Sequence, residues 1–106
     1  MAFTDAAQFK IPRHIIQPGG VNAESITANR TLTYADSTYQ IITTNGALDL
    51  TLPVEKDGAV FVVRNHPDSA GVLTVKDSDG SVIDTRAAGE AFILVCDGTN
   101  WHVGLK

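Results

Sequence analysis

The chain has 106 residues, with apolar residues at 43% and charged residues at 19%, a composition that suits one globular domain and not a disordered chain. Its 8 Lys and Arg stand against 12 Asp and Glu for a formal charge of -4, and no basic cluster occurs, which argues against nucleic acid as the main partner. No apolar run approaches the roughly 18 residues of a membrane span, residues 1–5 lack the blocks of a signal peptide, and the single Cys96 excludes an intrachain disulfide, so the expectation is a cytoplasmically made chain with no membrane partner, stabilised by packing or assembly.

Residues 1–25 predict an extended N-terminal arm. Thr4 or Asp5 can cap one or two helical turns, but no second turn of apolar periodicity follows. Pro12 and Pro18-Gly19-Gly20 punctuate an apolar patch of Ile11, Ile15 and Ile16, with Phe9 just ahead of it, and the residue before each proline is pushed toward extended backbone. Fully extended, such a segment reaches about 80 Å at about 3.3 Å per residue. A loose terminal tail is the plain alternative. Isoleucines left in water favour the other reading, in which Phe9, Ile11, Ile15 and Ile16 bind a neighbouring subunit or another partner.

Residues 26–106 predict a β-domain. Thr31 to Tyr34 alternates, and the stretch from Thr38 to Thr44 is rich in β-branched residues. Asn45-Gly46 has the chemistry of a two-residue hairpin turn, leading to a strictly alternating strand with Leu48, Leu50 and Leu52 on one face. Pro53 ends that strand. A charged turn with Gly58 precedes an apolar run from Ala59 to Val63, which presents apolar side chains to both faces. The longest irregular stretch runs from Asn65 to Gly71, followed by a strand at 72–76, a turn at Asp77-Ser78-Asp79-Gly80 and a strand at 81–85. The run Ala91–Cys96, the turn Asp97-Gly98-Thr99-Asn100 and the return at Trp101 form a closing hairpin. This pattern predicts an all-β fold, a single small antiparallel β-sandwich or jelly-roll-like barrel of about eight strands. Strands apolar on both faces, at 60–63 and 92–95, need cover from a second sheet or another subunit, so Phe61, Phe92 and Trp101 are expected to serve core and trimer packing.

The residues offer little chemistry. Asp77, Asp79 and Gly80 suggest a calcium loop, yet Val82 and Ala88 occupy the sixth and twelfth positions, where Gly and a bidentate Glu belong. His14, His66 and His102 form no paired-ligand spacing. Cys96 lies in an apolar strand with no assigned base. The acids fall mostly in turns or on polar faces, and no phosphate loop occurs, so neither enzyme activity nor any cofactor or metal is expected. Trp101 reads as a core aromatic with its indole N–H bonded. The alternative is a sugar platform, which needs Trp101, Tyr34 or Tyr39 exposed together.

The series of Leu52-Pro53, a charged turn with Gly58, a strand ending Arg64-Asn65, a Thr74-Val75 strand, an Asp79-Gly80 turn and a final Cys96-Asp97-Gly98-Thr99-Asn100-Trp101 resembles small β-domains of tailed-phage virions. The resemblance spans residues 26–103. It implies a capsid decoration (cement) protein or a fibre module, commonly homotrimeric, whose partners are its own copies and the major capsid protein or another virion protein. A chain of this size with no shaft repeats favours decoration on the capsid exterior over a fibre. The alternative is a fibre, spike or carbohydrate-binding module.

Overall fold

Strands made of β-branched and leucine-rich alternation build the whole of the chain that the computed structural model describes, residues 19–104. They are β1 (Val21–Ile26), β2 (Arg30–Thr31), β3 (Tyr39–Thr44), β4 (Leu48–Thr51), β5 (Val60–Asn65), β6 (Leu73–Lys76), β7 (Val82–Arg86), β8 (Ala91–Cys96) and β9 (Trp101–Gly104). A five-stranded sheet has the order β9-β8-β5-β3-β1, and a four-stranded sheet the order β2-β4-β6-β7.

The expected all-antiparallel arrangement holds only in part. β5 with β8, β8 with β9, and β6 with β7 pair antiparallel. In contrast, β1, β3 and β5 run parallel in one sheet, and β2, β4 and β6 run parallel in the other. The chain therefore coils: each of three passes leaves one strand in each sheet, and the passes stack before the antiparallel strands close the stack. Asn45-Gly46 is accordingly a corner between sheets and not a hairpin, since β3 and β4 belong to different sheets and Gly46 does not take a positive φ. A corner and a hairpin have the same polar, Gly-containing signature between strands; only the distant pairing partner distinguishes them. β1 also crosses the arm boundary expected at residue 25, so residues 21–25 are sheet and the described residues hold nine strands.

One apolar cluster fills the space between the sheets. Ile42, Phe61, Val63, Phe92, Leu94, Cys96 and Trp101 come from the larger sheet, and Leu50, Leu73 and Val75 from the smaller, with Leu32 and Leu52 just beyond their strands. Each large side chain so buried contributes about 1.5–3 kcal/mol. Asn65 is also fully buried, and its Nδ2 donates to the carbonyls of Gly71 and Arg86, both at 3.0 Å, tying the long loop to β7. Arg86 lies with its guanidinium 4.9 Å from the Phe92 ring centre and donates from Nε to the Ala91 carbonyl at 3.0 Å.

The first pass closes the other end of the core with polar groups. Asn22 and Glu24 stand beside inward Gln40 and Ile42, and Arg30 beside inward Leu50. Asn22 Nδ2 donates to Glu24 Oε1 at 2.6 Å and to Gln40 Oε1 at 2.8 Å, while Arg30 pairs with Glu24 at 3.1 Å and Asp36 at 3.2 Å. Inward charges on an edge strand discourage another strand from adding there, and a polar terminal repeat keeps a stack soluble.

This cap is acid-sensitive. The Asn22 hydrogen bond, then that of Arg30, holds the Glu24 carboxyl below its ordinary 4.5. For Asp36, burial acts in the opposite direction, but hydrogen bonds from Arg30 and the Thr33 N–H outweigh it and leave the carboxyl below its ordinary 3.8. Both groups bind protons more readily unfolded than folded, so their contribution is complete above the unfolded values and is lost as pH falls through the folded ones. The melting temperature of the wild type should fall as pH drops below 4.5. Glu24→Gln should flatten that decline in a melt-versus-pH series; parallel curves for the two proteins would remove Glu24 as a cause.

Candidate interaction face

The two outer faces of the molecule differ in chemistry because the outward residues of their strands differ. On the smaller sheet they include Thr31, Asp49, Thr51, Thr74 and Lys76, with Lys76 Nζ paired to Asp49 at 2.8 Å. That face is suited to water. On the larger sheet, strand pairing aligns Val21, Tyr39, Val62, Ile93 and Gly104 in a row across all five strands. A second row holds Ala23, Ile41, Arg64 and Ala91, and a third Val60, Val95 and His102.

These rows leave apolar surface in solvent. Val21 is 57% exposed, Val95 42% and Val60 39%, while Tyr39, Ile41, Val62 and Ile93 are half-buried. Apolar side chains adjoining in rows make this face a candidate interaction site, whereas single exposed valines need no explanation. No carboxylate stands in the three rows, although the chain as a whole is acidic, and no ion pair within 4.0 Å engages Arg64 among the described residues. A cleft of about 270 Å³ runs along the rows between Val21, Tyr39, Ile41, Val62, Arg64 and Ala91. Another of about 230 Å³ adjoins it at Ile41 and is lined also by Ala23, Glu24, Ser25, Thr43 and His66.

The double-sided strands resolve into two functions. Phe61, Phe92 and Trp101 point inward and are 3%, 0% and 7% exposed, so they serve the core. Val60, Val62, Ile93 and Val95 occupy the outward positions, which the consecutive apolar runs at 60–63 and 92–95 already signalled. Sequence reasoning missed Val21, Ala23, Tyr39 and Ile41 as members of this face, because only the parallel pairing brings β1 and β3 beside β5. Phe9, Ile11, Ile15 and Ile16 lie outside the described residues, as does His14.

The remaining polar groups have local work. Trp101 Nε1 donates to the Pro53 carbonyl at 3.3 Å, and its ring centre lies 6.0 Å from that of Phe61. Tyr34 stacks on Phe61 with centres 6.3 Å apart and donates its hydroxyl to the Val54 carbonyl. Tyr39 is on the outer face and Trp101 on the inner, so the three aromatics do not form one platform. Asp97 organises the closing turn: the N–H groups of Thr99 and Asn100 donate to Oδ1 at 2.9 and 2.8 Å, and His102 Nε2 meets Oδ2 at 2.8 Å. The Asn100 N–H, followed by His102 and the Thr99 N–H, holds that carboxyl far below its usual range. The buried Cys96 Sγ accepts the Gly98 N–H at 3.4 Å. No group of three or more His, Cys, Asp or Glu is placed to hold a metal among the described residues.

No family model, curated protein or solved structure matches this chain.

Proposed function

We propose that this chain is a structural protein of a tailed-phage virion, a capsid decoration protein that associates as a homotrimer, binds the head shell and stabilises it. The carrying observation is the outer face of the larger sheet, apolar across β1, β3, β5 and β8 with Arg64 and the Asp97-paired His102 beside the apolar rows, opposite an outer face of Thr31, Asp49, Thr51, Thr74 and Lys76 in which Val82 is the exposed apolar member. Such asymmetry supports a molecule that keeps one side in water and gives the other to protein. The virion setting rests on the resemblance carried by Leu52-Pro53, Arg64-Asn65 and the terminal Cys96-to-Trp101 series. Its partners are further copies of itself and the major capsid protein or another virion protein, on the capsid exterior.

Imaging intact particles labelled on this chain tests the placement. Label distributed over the head surface is the expected result, and label confined to the tail would overturn it. That second outcome belongs to the fibre or spike reading, the alternative that the same resemblance carries.

A further inference from the structure

We propose that the outer face of the larger sheet receives the Phe9–Ile16 segment of a neighbouring copy, so that each chain of the assembly lays its N-terminal arm across the next. The inference rests on the self-association proposed above and names what covers the face.

Three observations meet there. First, the row Val21, Tyr39, Val62, Ile93 and Gly104 crosses five strands without a charged side chain, Arg64 belonging to the adjacent row. Five strands at about 4.8 Å spacing are about 19 Å across. The eight residues from Phe9 to Ile16 extend about 26 Å at about 3.3 Å each, enough to span the row and pass its end. Second, the 18 residues ahead of Gly19 carry Phe9, Ile11, Ile15 and Ile16, apolar side chains that need cover, interleaved with Lys10 and Arg13, whose long side chains can reach past an apolar row into water. Third, the described chain begins at the corner of this same face: Gly19 is two residues before Val21, and its carbonyl accepts the Ser37 hydroxyl at 2.9 Å at the start of β3. The described residues thus begin beside Val21, at one end of the row.

The outer edge of β1, unpaired among the described residues, is a poorer seat. Its inward Glu24, bound to Arg30, guards that edge against an added strand, whereas the face beside it carries no such device. Folding the arm onto its own face would bury the apolar rows without joining any chains. Donating it to the next copy covers the same surface and creates the contact, and three such contacts close a ring.

Mixing two full-length variants tests the exchange. Ile93→Asp damages the face and keeps the arm; Ile15→Asp with Ile16→Asp damages the arm and keeps the face. Each alone should sediment as a single chain of about 11.3 kDa, against about three times that for wild type. Their equimolar mixture should form a complex of two chains, because one intact arm meets one intact face. Val62→Asn replaces Ile93→Asp if the latter does not melt cooperatively. Variants that remain trimeric, or a mixture that stays at one chain while wild type is trimeric, would overturn arm exchange and leave self-association standing. A monomeric wild type would instead overturn the self-association on which the exchange rests.

Discussion

Trp101→Ala should destabilise the protein by about 3–5 kcal/mol in denaturant melts, the range for deleting a large aromatic from a core. The indole is 7% exposed and joins parts of the chain far apart in sequence: it leans on Phe61 from β5 and donates to the Pro53 carbonyl beyond β4. Truncation removes apolar contact in the closing hairpin and leaves the Pro53 carbonyl without its indole partner. Trp101→Phe keeps most of the apolar area and loses the hydrogen bond, so it should cost about 1 kcal/mol beyond any change in packing. An exposed sugar platform behaves in the opposite way. Stability changed by less than about 0.5 kcal/mol, with glycan binding abolished, would contradict the core role and turn attention to recognition.

Gly71→Ala should cost about 3–4 kcal/mol, from overpacking of about 1–3 together with the hydrogen bonding lost when the loop shifts. A Cβ at residue 71 would stand 2.5 Å from the Gly46 carbonyl carbon, 2.6 Å from the Ala47 nitrogen and 2.7 Å from the Gly46 oxygen. All three are backbone atoms of the neighbouring pass, so no side-chain rotation relieves the clash. Moving Gly71 away also disturbs its carbonyl, which accepts Asn65 Nδ2 at 3.0 Å and Thr44 Oγ1 at 3.4 Å. Gly46 provides the control, because a Cβ there meets nothing within 4 Å. Gly46→Ala should change stability by no more than about 0.5 kcal/mol. Equal effects at the two positions would contradict the close stacking of successive passes.

These two sites also show how much of the fold is legible in the sequence. The closing hairpin is local: Ala91–Cys96, its Asp-Gly turn and Trp101 specify strand, turn and return within a few residues, and β8 and β9 pair with Trp101 opposite Cys96. The inward set Leu48, Leu50 and Leu52 is equally local, with Leu50 and Leu52 buried and Leu48 packed against them. Parallel stacking is not local. Tyr39 pairs with Val21 on one side and Val62 on the other, and nothing near any of the three announces the others. For the same reason nothing near Gly71 in the sequence announces the Gly46 backbone packed against it.

β1 escaped notice for a different physical reason. Its outward residues are Val21, Ala23 and Ser25, and its inward ones include Asn22 and Glu24, so the apolar alternation that identifies a buried strand is absent where the strand caps the core. The interaction face was half legible. Consecutive apolar runs revealed β5 and β8 as two-sided, but its extension through Tyr39, Ile41 and Val21 required the register. The polarity of the opposite face follows from Thr31, Asp49, Thr51, Thr74 and Lys76 only once those strands are known to adjoin.

Sedimentation equilibrium of the full chain at micromolar concentration most directly tests whether the apolar face joins subunits. About three chains per particle, each of 11.3 kDa, is the predicted result, with reversion to one chain on Ile93→Asp. A cooperatively folded wild-type monomer across that concentration range would contradict it.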